Sequence, residues 1–160
     1  MDKATVTSMT TTMSDVRRLI EAENGLAIIS TARPDRTVLA SMVNAGVIGH
    51  PVTGIEVVAF VAVGGARKLD ILRARPAVTA TFRSGWEYAT VEGSAQLCGP
   101  DDELAGVDTE ALRLLLREIF RAAGGSHEDW DTFDAVMAQD RRSAVLIHPM
   151  RIYGRRPYPE

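Results

Sequence analysis

Short apolar runs of strand length, separated by turn residues, fill most of the chain between residues 26 and 98, and helical spacing is confined to a few flanking segments. Over 15–23, Val16, Leu19 and Ile20 share one face, Ser14 stands where a cap is needed and Asn24-Gly25 is a stop, which predicts a first helix. Segments 26–31 and 37–44 flank ARPDR, whose Pro34-Asp35 is a turn pair, so they predict a hairpin. Residues 55–63 read as a third strand, 67–75 as a short helix ending before Pro76, and 77–83 as a fourth strand. Residues 86–97 predict a long fifth strand, with Gly93 where it bends or bulges.

Helical periodicity returns after residue 108. Leu112, Leu115, Leu116, Ile119 and Phe120 fall on one face of a predicted helix over 109–123, capped by Asp108 and ended by Gly124-Gly125. Ser126 and Asp129 have capping-box spacing for a further helix to about residue 139, with Trp130, Phe133 and Met137 inward. Segments 143–148 and 151–153 close the chain as strands split by Pro149. Five or six strands with few helices, no repeat and no linker predict an α+β protein built on a small closed β-barrel. Residues 14–160 form its single domain, and the Ser/Thr-rich residues 1–13 form a flexible start.

Composition narrows the class. The 160 residues are 46% hydrophobic and 24% charged, the balance of a globular domain with one core. No stretch reaches eighteen consecutive apolar residues and the opening lacks the apolar segment of a signal peptide, so no membrane partner and a cytoplasmic location are expected. Cys98 is the only cysteine, which suits a reducing compartment. A net charge of -3 argues against nucleic acid as the main partner, because that binding needs an excess of cations. Any anion site must therefore be local.

The sequence lacks GxxxxGK[ST], GxGxxG and GxSxG, and His50, His127 and His148 have no metal-ligand spacing, so no metal is expected and the histidines read as surface or satisfied groups. Three stretches remain as binding candidates. Arg67 and Lys68 follow two glycines at a strand end and open a helix, where free N–H groups and the helix dipole also attract an anion; spacing alone reads them equally as solvated cations. Trp86 and Tyr88 share one face of the fifth strand, as core, as a dimer contact or as a stacking wall. ASMVN, 40–44, offers strand-end backbone groups to a flat heterocycle and is otherwise an ordinary strand.

Taken together, GLAIISTARPDRTVLASMVN, ARKLDILRARPAVTATF, GWEYATVEGSAQL and GSHEDWDTFDAVMAQDRRSAVLIHPMRIYG resemble the pyridoxamine 5'-phosphate oxidase-like superfamily, and more narrowly its branch that uses the deazaflavin coenzyme F420. The resemblance covers nearly the whole chain. It implies a six-stranded, FMN-binding-like split β-barrel with peripheral helices, homodimeric, with cofactor at the subunit interface and hydride passed to or from a small organic substrate. In such relatives the lysine matching Lys68, with Arg67 beside it, meets the cofactor phosphate. Residues matching Ser41, Met42, Val43 and Asn44 line the ring system, and aromatics matching Trp86 and Tyr88 come from the second subunit. The family has no universal acid or base, so no catalytic side chain is assigned. FMN in the same fold, giving an oxidase or reductase, and a non-catalytic cofactor carrier are the alternatives. Two departures stand out: Arg36 where the hairpin commonly has Gly, and Asp70 where deazaflavin-binding relatives often carry a cation.

Overall fold

The computed structural model describes residues 10–156; most of the Ser/Thr-rich opening, residues 1–9, lies outside them. Six antiparallel strands, β1 (Leu26–Ala32), β2 (Val38–Gly49), β3 (Glu56–Ala62), β4 (Ala77–Ser84), β5 (Glu87–Cys98) and β6 (Ser143–Arg155), close in the order β1-β2-β3-β6-β5-β4. Around this barrel lie α1 (Met13–Glu23), α2 (Arg67–Ala74), α3 (Thr109–Ala122) and α4 (Trp130–Gln139).

The β1–β2 hairpin pairs Leu26 with Asn44 and Ala32 with Val38, the register expected from ARPDR as the turn. Inside that turn the Asp35 carboxylate accepts the Thr37 N–H at 3.0 Å, and Arg36 takes a left-handed φ of 71°, a conformation that favours glycine. β2 continues to Gly49, beyond the predicted end at 44, because Ala45 to Gly49 leave β1 and pair with Phe60 to Glu56 of β3.

β3 and the first part of β6, residues 143–147, are buried on both faces, which accounts for their unbroken apolar runs. Val58 and Phe60 of β3 and Val145 and Ile147 of β6 enter the barrel core beside Ile29, Phe82 and Val91. α1 supplies Val16 and Leu19 to this core and α2 supplies Leu69 and Leu72. The alternate residues Val57, Ala59, Ala144 and Leu146 face outward into a second core with Leu115, Leu116 and Ile119 of α3 and Phe133 of α4. β3 and β6 are thus a shared wall between two cores.

Three further features differ from the sequence reading. Thr12, not Ser14, is the N-cap of α1, because the Asp15 carboxylate reaches back to the Thr12 N–H at 2.8 Å. Asp129 itself caps α4, accepting the Thr132 N–H at 3.1 Å, so Ser126 is not the cap. β6 is one strand rather than two. Its register against β5 shifts where Glu92 faces Arg151 and Gly93 faces Pro149, leaving Met150 as an extra residue. That bulge accommodates a residue without an N–H. Gly93 is required opposite it, since a Cβ there would lie 2.1 Å from the His148 carbonyl oxygen.

α3 reaches the site through a second close approach. A Cβ on Gly46 of β2 would fall 2.5 Å from the Ala122 backbone, so the bare glycine lets the α3 C-terminus lie directly on the strand. On its other side α3 is clamped to α4, with Asp134 receiving Arg113 at 2.8 Å and also pairing with Arg117.

Candidate functional site

Where β2 passes from β1 to β3, a cavity of about 560 Å³ opens between the barrel and the helices. This volume is in the range of small-molecule sites, about 300–1,000 Å³. Met42, Val43 and Asn44 form its β2 side, Val61 to Val63 the end of β3, and Ala66 and Lys68 the start of α2. Ile119, Phe120, His127, Phe133 and Met137 form the helical side, and Arg142 borders it from the turn before β6. Among the described residues the charged side chains in this wall are Lys68 and Arg142, and no carboxylate lines it.

The two glycines of GGARK have different causes. Gly64 donates its N–H to the Asp140 carbonyl at 3.0 Å, and a Cβ on it would come within 2.6 Å of the Arg141 oxygen, so packing against the 140–141 turn demands it. Gly65 has φ +79° with nothing near its missing Cβ, so backbone conformation demands it. Together they deliver the chain into α2 with Ala66 as an N-cap that offers no side-chain acceptor. Among the described residues no backbone carbonyl takes the N–H of Arg67 or Lys68. The positive end of the α2 dipole is left open there.

Lys68 lies half-buried at this end, its Nζ 5.9 Å from the centroid of the Phe60 ring. Burial pushes its ammonium below the usual lysine range. Among the described residues no carboxylate pairs with it. Arg67 is exposed and lies outside the cavity wall. Asp70, the acidic departure on this helix, does not line the cavity either: it is exposed and bridged at 2.7 Å to Arg73, which also holds Asp102.

The helical wall is aromatic. Phe120 and Phe133 stand 5.0 Å apart between ring centroids, and the His127 ring lies 5.7 Å from Phe133 and 6.4 Å from Phe120. Trp130 completes the cluster, with the Arg121 guanidinium stacked 4.3 Å from its ring. Sequence reasoning placed Phe120 and Phe133 in the core and His127 among surface or satisfied groups, and did not bring them to a ligand cavity. The signal was present in HEDW, where a histidine two residues before a helix cap sits beside the aromatic face of that helix.

Met42, 63% exposed, belongs also to a second cavity of about 440 Å³ on the outer face of β1. Its other walls include Leu26, Ile28, Trp86, Tyr88 and Arg155. The candidates from sequence therefore divide: Met42, Val43, Asn44 and Lys68 line the first cavity, Met42, Trp86 and Tyr88 the second, and Ser41 and Arg67 line neither. Trp86 is 87% exposed in the single chain.

The other histidines are engaged elsewhere. His50 Nδ1 accepts the N–H of Val52 at 3.1 Å, and its Nε2 and that of His148 both face Gln96 Oε1. Among the described residues no group of three or more His, Cys, Asp or Glu could hold a metal, and no helix is long and apolar enough to cross a membrane.

No family model matches the sequence. Solved structures do share its architecture. An F420 reductase is 16% identical, with 85% of this chain and 94% of that one covered and a TM-score of 0.57. A pyridoxamine 5'-phosphate oxidase candidate from Listeria innocua is 14% identical, with 88% and 95% covered and a TM-score of 0.56. The fold is a pyridoxamine 5'-phosphate oxidase-like split barrel. A conserved hypothetical protein from Mycobacterium tuberculosis is 15% identical, with 90% and 84% covered and a TM-score of 0.64. At such identities the split barrel is common to these proteins while the ligand can differ.

Proposed function

We propose that this split barrel is an oxidoreductase that holds coenzyme F420 in the Lys68 cavity and works as a homodimer. The observation that carries the reading is Lys68: a half-buried cation without a counter-ion, at an uncapped helix start, in a wall free of carboxylates. Leaving such a charge partly desolvated costs stability unless a ligand supplies the anion. A phosphate would receive the ammonium together with the free N–H groups of Arg67 and Lys68. Exposed Arg67 adds long-range attraction at the cavity's edge.

Beyond the phosphate anchor, Met42, Val43 and Asn44 offer an edge of β2 against which a flat ring lies, and the Phe120–Phe133 side gives an apolar face opposite. When bound, the deazaflavin supplies hydride donation and acceptance at its C5; the chain binds it, orients it and limits water. No side chain is assigned a proton-transfer role.

The homodimer rests on exposed apolar groups on the outer face of the barrel, Leu26, Ile28, Val38, Met42 and Trp86. A second copy covering this face would bring its Trp86 and Tyr88 toward the shared edge at Met42 and so complete the site from across the interface.

The same anchor suits FMN, which also carries a phosphate, and this is the second reading. Titrating one preparation with oxidised F420 and with FMN by fluorescence separates the two. A charge-assisted contact contributes roughly 1.5 to 3 kcal/mol, so Lys68→Ala is expected to weaken the preferred cofactor about ten- to a hundredfold. Unchanged affinity in that variant would remove Lys68 from the site.

A further inference from the structure

We infer that His127 selects the second, organic ligand of the Lys68 cavity by donating a hydrogen bond from Nε2 to an acceptor oxygen on a flat, largely apolar molecule. The inference rests on reading that cavity as the cofactor site. His127 Nδ1 accepts the backbone N–H of Asp129 at 3.0 Å. A backbone N–H only donates, so this bond places the proton of the neutral ring on Nε2. Among the described residues nothing takes that proton. Contacts with Phe120, Trp130 and Phe133 at 6.4, 5.9 and 5.7 Å between centroids hold the ring in place, so the donor is oriented before a ligand arrives.

The other polar side chains of this wall are engaged elsewhere, the Arg142 guanidinium with the Asp140 carboxylate at 3.1 Å. Thr132, the adjacent polar residue of the wall, gives its hydroxyl proton to the Asp129 carboxylate at 2.7 Å, and Asn44 donates to the Asn24 carbonyl at 2.8 Å. The rest of the helical wall, Phe120, Phe133, Val136 and Met137, is apolar. The cavity therefore has two unlike ends: a cationic one at Lys68 for an anion, and a neutral donor set in an aromatic wall. The latter suits an uncharged oxygen on an aromatic or conjugated body.

Two probes of the same shape test this on the full chain: 2-acetylnaphthalene, which has the acceptor oxygen, and 2-isopropenylnaphthalene, which lacks it. Amide chemical shifts of the nitrogen-15-labelled protein give both the affinity and the location. Wild type is expected to bind the ketone roughly three- to tenfold more tightly, with shifts at Phe120, His127 and Phe133. His127→Phe, which keeps a ring in the cluster, should abolish the preference, and His127→Ala should do the same at this exposed position if the first variant folds poorly. Lys68→Ala should leave the preference intact. Equal affinities in wild type, no saturable shift with either probe, or a preference surviving in the His127 variants would overturn the inference. F420 titration of the same samples reads the cofactor assignment separately: loss there in Lys68→Ala but not in His127→Phe is expected, and loss in both would move His127 into the cofactor's own contacts and overturn its role as selector.

Discussion

Lys68 sits at an energetic disadvantage in the isolated chain. Its ammonium is half-buried and lowered in pKa by that burial, and the Phe60 ring face compensates only in part. A methionine of similar length would avoid the penalty, so Lys68→Met should raise the thermal midpoint of ligand-free protein while impairing binding of a phosphate-bearing ligand. A lower midpoint with intact binding would show that the lysine is structural. The sign of the shift also sets a pH dependence. The folded lysine loses its proton below its ordinary 10.5, so affinity for the phosphate ligand should begin to fall on the alkaline side before that value, and Lys68→Met should show no such limb. From GGARK alone the cationic pair was legible but its members were not separable. Consecutive residues on a helix point about 100° apart, and only the docking of α2 decides which of them faces the cavity. The split between the Lys68 and Trp86 cavities was hidden for a similar reason, since strand alternation says that Trp86 lies on a face without saying what covers it.

At the scale of elements, the cavity exists because α3 and α4 are fixed over β2 and β3. The Asp134 carboxyl is held at about 2 by Arg117 first and Arg113 second, against the opposing effect of its burial. A folded pKa below the ordinary 3.8 means that this stabilisation is complete above that value and is lost as pH falls from 3.8 toward about 2. Asp134→Asn should therefore lower the thermal midpoint at neutral pH and shrink the difference from wild type in acid. A difference that is constant between pH 7 and pH 2 would contradict the clamp. On the opposite side of α3, Gly46→Ala forces a methyl into the Ala122 backbone and should cost about 1–3 kcal/mol in denaturant unfolding. An unchanged midpoint there would mean that α3 moves freely on β2. The helices themselves were readable from periodicity, and so were five of the strands, because each had one clear apolar face or an apolar run. β6 was misread as two strands since Pro149 forbids a regular ladder, and nothing local to that segment announces that Gly93 on another strand accepts the bulge.

For the whole molecule, the barrel wall is set by β3 and by residues 143–147 of β6, whose two buried faces need a core on each side. The outer face of β1 and β2 is different: Ile28, Val38 and Met42 are exposed there, and Trp86 stands at the β4–β5 turn with 87% of its surface open. Under the homodimer proposal, the double variant Met42→Asp with Trp86→Asp should sediment as a monomer and bind cofactor more weakly, because charges would be buried at the interface. A wild-type monomer at all concentrations would contradict the two-chain site. The closed barrel was legible from the number and spacing of strands, whereas a dimer was suggested only by the order of motifs along the chain, since individual strands carry no record of partners across an interface.

The anchoring of a phosphate-bearing redox cofactor by Lys68 is tested most directly by fluorescence titration of wild type and Lys68→Ala with oxidised F420, with FMN run in parallel. The expected result is saturable binding of F420 by wild type and an affinity lower by about ten- to a hundredfold in the variant. Equal affinity in the two proteins, or no binding of either cofactor by wild type, would contradict it.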